Sequence, residues 1–264
     1  MTSVNDKILS FKSGAVGTLT FNNPERHNAM SLDMWRAASV AMDQFAQDPE
    51  VRVVVLTGAG GKAFVSGADI SKFESERAST DAVAVYNAAV EHFQQTLSDY
   101  PKPTIAQIRG YCIGGGVGIV VSCDLRIADD SARFGIPAAK LGVGYGLVNI
   151  QRLMRLVGPQ FVNELLFTAR QIDASDAMRM GLVNRVIADA EIEAYVRDLA
   201  ETIAANAPLT IRAVKGIVRE LLRDEKDRDA AVCDALVRQC FESEDYKEGR
   251  QAFLEKRKPV FKGK

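Results

Sequence analysis

A chain of 264 residues with 47% hydrophobic composition is long enough to bury one substantial core without a disulfide or metal staple. Its 33 Lys+Arg nearly balance 34 Asp+Glu, and the resulting formal charge of -1 excludes an overall field that would draw nucleic acid or an acidic membrane. No apolar run approaches the roughly 20 residues that span a bilayer, the amino end MTSVNDKILSFKSG starts polar, and Cys112, Cys123, Cys233 and Cys240 are widely spaced without a C-x-x-C pair, so a cytoplasmic chain with reduced thiols and no metal site is expected.

Taken in chain order, ILSFKSGAVGTLTFNNP predicts two strands about a Ser13–Gly14 turn, the second stopped by Asn22–Asn23–Pro24. Ser31 opens a helix in which Leu32, Trp35, Ser39, Met42 and Phe45 return every three or four residues, with Asp33 near its amino end. VRVVVLTG, from Val51 to Gly58, has the continuous β-branched character of a strand buried on both faces. The glycine-rich GAGGKAFVSGAD follows it. Val83, Tyr86, Val90, Phe93 and Leu97 mark a second amphipathic helix that ends near Pro101 and Pro103, and the strand TIAQIRG comes next.

GGGVGIVVSCD predicts a buried helix whose small residues permit close approach, although VVS alone also reads as a strand. LRIAD and ARFGI are further strands, after which Gly142, Gly144 and Gly146 punctuate a loop around Tyr145. Asp173 caps the helix DASDAMRMG, Gly181 ends it, and the strand VNRVI follows. From about Ala190 the pattern is almost entirely helical. The expected organisation is therefore a mixed strand–helix core over residues 1–190 and a helical region over 191–264.

Two glycine-rich stretches have the composition of an oxyanion site. Gly67 in Ser66–Gly67–Ala68–Asp69–Ile70 frees the chain to present the Ala68 N–H, and Gly114, Gly115 or Gly116 at the start of the next helix offers a second donor. Read from these residues alone, both stretches serve equally well as tight structural turns. GAGGK lacks the spacing of a phosphate loop, and GGGVG lacks that of a dinucleotide fingerprint, so ATPase and Rossmann readings are weak.

The blocks NNPERHNAMS, GAGGKAFVSGADIS, PKPTIAQIRGYCIGGGVGIVVSCDLRIADDSARFGIP and RLVGPQFVNELLFTARQIDASDAMRMGLVNRVI, in this order, resemble the crotonase, or enoyl-CoA hydratase/isomerase, family along nearly the whole chain. The resemblance implies an α/β fold, a spiral core of repeated β-β-α units followed by a C-terminal helical region, and self-association as a trimer or dimer of trimers. It implies an acyl-CoA substrate, with coenzyme A present only as part of the thioester and no redox or metal cofactor. It assigns the two oxyanion-hole amides to Ala68 and Gly115. It brings Arg26 and His27 to the coenzyme A phosphates and the backbone of Asp69 and Ile70 to the adenine, while Lys256, Arg257, Lys258 and Phe261 assist the nucleotide from a neighbouring subunit. Cations suit phosphate and an aromatic ring suits a base; solvated tail charge is the competing reading for the lysines.

Hydratases of this family use two glutamates for water activation and proton transfer. The first would stand at Gly118 and the second at Ala138, neither of which can titrate. The segment AAKLGVGYG resembles the corresponding loop of methylmalonyl-CoA decarboxylases, which makes Tyr145 the candidate for orienting a substrate carboxylate while the Ala68/Gly115 pair holds the enolate. This chain has Ala68 where those decarboxylases have histidine. Tyr145 as a packed aromatic with its hydroxyl on backbone is the competing reading. Asp69, Asp124, Asp129 and Lys140 read as loop-shaping or surface charges. Three functions follow as expectations: an enolate-stabilising hydratase/isomerase-type enzyme, a decarboxylase-like lyase using Tyr145, and an acyl-CoA-binding protein without turnover.

Overall fold

The computed structural model describes residues 2–72 and 79–264. The first segment forms β1 (Thr2–Asn5), β2 (Ile8–Ser13) and β3 (Val16–Phe21), with Gly14 in the left-handed region at the tip of the β2–β3 hairpin. β1 is an antiparallel strand that its polar composition did not announce. The expected helix is α1 (Leu32–Gln47), whose Ser31 hydroxyl accepts from the Met34 N–H, a cap typically contributing about 1 kcal/mol. Its Trp35, Ser39, Met42 and Phe45 are buried, as the spacing requires.

Three successive units then share one design. β4 (Val53–Gly58) and β5 (Ala63–Val65) precede α2 (Thr80–Ser98); β6 (Thr104–Ile108) and β7 (Tyr111–Ile113) precede α3 (Gly115–Val120); β8 (Leu125–Asp129) and β9 (Arg133–Gly135) precede α4 (Ala138–Leu141) and α5 (Leu147–Thr168). The first strand of each unit joins a seven-stranded sheet, ordered β1-β2-β3-β4-β6-β8-β11, where β11 is Arg185–Ile187. The second joins a four-stranded sheet, ordered β10-β9-β7-β5, where β10 is Ile172–Asp173. Strands β3 to β11 of the large sheet run parallel, as do β5, β7 and β9. A chain that visits the two sheets alternately advances as a spiral of β-β-α units.

Residues alternate sides along β4, β6 and β8, which explains why VVVL is apolar throughout. Val54, Leu56, Ala106, Ile108 and Ala128 face the main core shared with α1, α2 and the small sheet. Val53, Val55, Ile105 and Ile127 face α7 (Ile192–Ala205), which buries Ile192, Val196 and Ala200 against them. The helical region expected from residue 191 thus opens with a helix that belongs to the outer layer of the sheet, because the odd-numbered face of that sheet needs an apolar cover. The preceding helix, α6 (Ala174–Arg179), carries the expected Asp173 cap, which accepts from the Asp176 N–H at 2.8 Å.

The glycine-proline pair in RLVGPQ breaks α5: Gly158 adopts φ 75 and ψ 165, and Pro159 restarts the helix. Beyond α7, α8 (Pro208–Leu221), α9 (Ala230–Glu242) and α10 (Glu244–Leu254) enclose an open apolar cleft of about 710 Å³. Among the described residues no helix is long and apolar enough to cross a membrane. All four cysteines are free, with Cys112 and Cys123 buried.

Candidate active site

The carboxyl ends of three neighbouring parallel strands, β5, β7 and β9, open onto one place, the position at which α/β sheets commonly present a ligand site. β5 leads into Ser66–Asp69, β7 into Gly114–Gly116, and β9 into Pro137–Ala138. The first two loops touch: a Cβ built on Gly67 would lie 3.5 Å from the Ile113 carbonyl oxygen, and one built on Gly114 would lie 3.9 Å from Gly67 Cα. Both glycines have positive φ, 107° and 54°, and so turn the chain where another residue would be strained.

The loop after β5 is clamped onto the segment before α1. Met30 N–H donates to the Gly67 carbonyl at 2.8 Å and Asp69 N–H donates to the Met30 carbonyl at 2.9 Å. Ala68 lies between these bonds, and its own N–H donates to no described residue. The Gly115 N–H, at the first position of α3, also has no described acceptor, and Gly114 supplies no side-chain cap. Two free amides on adjoining loops have the chemistry of an oxyanion hole.

The two positions where the resemblance leads one to expect glutamates, 118 and 138, are filled differently. Ala138 opens α4 and is half-buried. A Cβ on Gly118 would stand only 2.1 Å from Gln94 Nε2, so the amide of a residue on α2 occupies the space that a side chain at 118 would take. Sequence reasoning missed Gln94. The available signal was its position on the buried stripe of α2, four residues beyond Val90 and three before Leu97.

Tyr145 stands in the loop between α4 and α5, half-buried, with its ring against the main core. Its hydroxyl makes no hydrogen bond to any described residue, contrary to the reading in which backbone satisfies it. Burial pushes its pKa up to about 12, with the neighbouring Cys112 thiol reinforcing and the Arg152 guanidinium opposing the shift. The hydroxyl is therefore a neutral donor at ordinary pH. Arg152 is 8% exposed, and its bonds go to side-chain amide oxygens: Gln95 at 2.6 Å, Gln94 at 3.4 Å and Asn149 at 3.5 Å.

The expected coenzyme A residues divide into two groups. Arg26 and His27 lie in and after a 3-10 turn at Pro24–Arg26, and their carbonyls accept from Ser66 Oγ at 3.3 Å and Ser66 N–H at 3.1 Å, which ties them to the loop after β5. The His27 ring also packs edge-on against Tyr111, 6.0 Å away. Asp69 Oδ1 accepts from Ser71, through its N–H at 3.0 Å and its hydroxyl at 2.6 Å, and the backbone of Asp69 is engaged as well, its N–H by Met30 and its carbonyl by the Lys72 N–H at 3.0 Å. Ile70 is exposed.

Lys256, Lys258 and Phe261 are not brought to this site by their own chain. The Phe261 carbonyl accepts from Arg52 Nη2 at 2.6 Å, and Arg52 precedes the amino end of β4, whereas the site's loops lie beyond its carboxyl end, about 20 Å along the strand. Lys256 and Lys258 are exposed on the same C-terminal segment. Asp124 accepts from Thr104 and Lys215, Asp129 from Ser131, and Lys140 is exposed, as the structural readings of these residues anticipated. Among the described residues no group of three or more His, Cys, Asp or Glu could hold a metal ion.

Comparison with known proteins places this geometry among relatives. The sequence profile "Enoyl-CoA hydratase/isomerase" matches residues 12–264. The chain is 37% identical over 255 residues to the short-chain-enoyl-CoA hydratase of Clostridium acetobutylicum, covering 97% of both. It is 34% identical over 260 residues to the carnitinyl-CoA dehydratase of Salmonella typhi, covering 96% of this chain and 97% of that protein. In three dimensions it is similar to the crystal structure of an enoyl-CoA hydratase/carnithine racemase from Magnetospirillum magneticum, with a TM-score of 0.92 at 36% identity, covering 98% and 97% of the two chains.

Proposed function

Because the chain belongs to the enoyl-CoA hydratase/isomerase family of acyl-CoA enzymes, we propose that it works in the cytoplasm by holding a thioester carbonyl between the Ala68 and Gly115 N–H groups and stabilising the enolate that forms there. The observation that carries this reading is the pair of unpartnered amides on the touching loops after β5 and β7. Donors fixed before reaction stabilise the developing negative charge without reorganising, an effect worth about 3–4 kcal/mol for a single donor in other enzymes. Arg26, His27 and the backbone of Asp69 and Ile70 receive the coenzyme A portion. Lys256, Lys258 and Phe261 complete the nucleotide end from a second copy, since their own chain carries them elsewhere. The apolar cleft between α8, α9 and α10, together with exposed Phe253 and Leu254, supports self-association as a trimer or dimer of trimers.

Gly118 and Ala138 favour a lyase reading over hydration. Hydration needs a base to activate water, and double-bond isomerisation needs one to move a proton; neither position has a titratable side chain. Loss of carbon dioxide needs no such base. The bond between the α-carbon and the carboxylate carbon breaks, its electron pair enters the enolate held by Ala68 and Gly115, carbon dioxide departs, and a proton from water completes the α-carbon. The unpartnered Tyr145 hydroxyl is a donor suited to orienting the departing carboxylate.

Mass spectrometry after incubation with enoyl-CoA and alkylmalonyl-CoA thioesters tests both statements. Carbon dioxide loss from the alkylmalonyl thioesters is expected, and Tyr145→Phe should lower that turnover at least tenfold while acyl-CoA binding is retained. Unchanged turnover in Tyr145→Phe removes the hydroxyl from the mechanism, and water gain by enoyl-CoA replaces the lyase reading with a hydratase.

A further inference from the structure

Trp35 is the one tryptophan of the chain, and its place in the core asks more of its surroundings than an aliphatic residue would. It lies in the first turn of α1, 1% exposed, and a buried indole N–H needs an acceptor. Nε1 donates to the Tyr86 hydroxyl at 3.0 Å, and Tyr86, 3% exposed on α2, donates in turn to the Met30 carbonyl at 3.1 Å. The same carbonyl accepts the Asp69 N–H at 2.9 Å, while the Met30 N–H donates to the Gly67 carbonyl at 2.8 Å. The relay therefore ends on the residue that pairs with Ala68 as an isolated β-bridge.

The far edge of the same indole reaches the second loop. A Cβ built on Gly115 would lie 3.2 Å from Trp35 Cζ2 and 3.5 Å from Cη2, so the six-membered ring takes the space of a side chain at 115 and bears on the first residue of α3. Phe93 packs on the indole from α2, with ring centroids 5.7 Å apart. One side chain of α1 thus touches the loop after β7 directly and the loop after β5 through Tyr86 and Met30. Amides on separate loops keep a common aim only if both loops are held, and a displacement of about 0.5 Å is enough to weaken such a site. Tyr100 is also 1% exposed, but its hydroxyl donates to the Met42 carbonyl at 2.7 Å, farther along α1 and on neither loop.

We propose that Trp35 and Tyr86 are positioning residues for the thioester carbonyl. The indole edge sets where the Gly115 N–H stands, the Tyr86 hydroxyl holds Met30 and with it Ala68, and the bond between the two side chains keeps both amides aimed at one oxygen. This rests on the oxyanion reading of Ala68 and Gly115. Both side chains act through the backbone, and neither is a donor to substrate.

Butyryl-CoA, isotopically labelled at the thioester carbonyl, has no double bond or carboxylate for the proposed reactions to consume, and its carbonyl stretch falls in frequency when the oxygen accepts hydrogen bonds. Infrared difference spectra at saturating butyryl-CoA should show that stretch lowered by the wild-type protein. In folded Tyr86→Phe, which keeps the ring and removes the hydroxyl, the lowering should shrink by about half or more. Trp35→Phe, which removes the indole N–H and withdraws the ring from Gly115, should give a loss of similar size, and it decides alone if Tyr86→Phe does not fold. Tyr100→Phe deletes a buried hydroxyl bonded to an α1 carbonyl and should lower the melting temperature comparably, yet leave the carbonyl shift within about a tenth of the wild-type value. A full wild-type shift in either folded relay variant, or an equal loss in Tyr100→Phe, overturns the positioning role while the oxyanion reading stands. No lowering in wild-type protein that binds butyryl-CoA overturns the oxyanion reading and this proposal with it.

Discussion

Gly116 shows how closely the site is built from main chain alone. A Cβ at that position would lie 2.3 Å from the Val65 carbonyl oxygen, at the end of β5, so even a methyl group separates the loops after β5 and β7. Backbone cannot yield as a side-chain tip can. Gly116→Ala should lower the melting temperature, with a cost of about 1–3 kcal/mol or more, and, under the proposed function, should weaken acyl-CoA binding at least tenfold because the Ala68 and Gly115 N–H groups would no longer face one oxygen. Gly144, in the Tyr145 loop, has nothing within 4 Å of its built Cβ. Gly144→Ala is the matched control in thermal unfolding and ligand titration, and little change in either is expected.

At the scale of elements, the site depends on strand order, whereas the C-terminal segment depends on a few polar contacts. Glu248 on α10 accepts from Arg257 through both carboxylate oxygens, at 2.6 and 2.9 Å, and from the Val260 N–H at 2.8 Å. Asp245 receives the Lys262 and Gly263 N–H groups at 2.7 and 2.8 Å. The bond from Arg257, followed by that from Val260, pulls the Glu248 pKa to about 2, below its ordinary 4.5. A carboxyl whose folded pKa is depressed contributes fully above about pH 4.5, and the contribution is lost as pH falls toward 2. The group is only half-buried, so salt weakens the contact as well. Acid, about 1 M salt, or Glu248→Ala should each speed hydrogen exchange at the Val260 amide, while exchange in β4 and β6 stays slow; a tail equally protected in Glu248→Ala would show that the Asp245 and Arg52 contacts suffice to hold it.

At the scale of the molecule, the loops after β5, β7 and β9 lie toward one end of β4, and the segment carrying Lys256, Lys258 and Phe261 docks near Arg52 at the other. Under the proposed function one copy does not complete both ends of the coenzyme A site, and self-association would supply the difference. Phe253 is 84% exposed and Leu254 is 73% exposed beside the apolar cleft of α8–α10, an arrangement that water disfavours in an isolated chain. Phe253→Glu should shift sedimentation toward smaller species and raise the dissociation constant for acyl-CoA in parallel. Monomers with undiminished affinity would mean that Lys256, Lys258 and Phe261 take no part in binding.

Local pattern sufficed for what depends on neighbours in the chain. The Ser31 and Asp173 caps, the stripes Trp35–Phe45 and Tyr86–Leu97, the helix opening at Gly115 and the glycines that free Ala68 follow from spacing and residue type, because capping, amphipathicity and positive φ are decided within a few residues. The ordered motif blocks carried the family and with it the expectation of an oxyanion pair. Tertiary structure decided what distant segments share. β1 paired despite its polar composition because the hairpin edge beside it offers hydrogen bonds, and α7 joined the sheet because Val53, Val55, Ile105 and Ile127 need a cover. Gln94 lies 24 positions before Gly118 in sequence, and only the packing of α2 on α3 put its amide where a side chain at 118 would stand. Periodicity records which face of an element is buried; which side chain from elsewhere meets that face is set by how the elements pack.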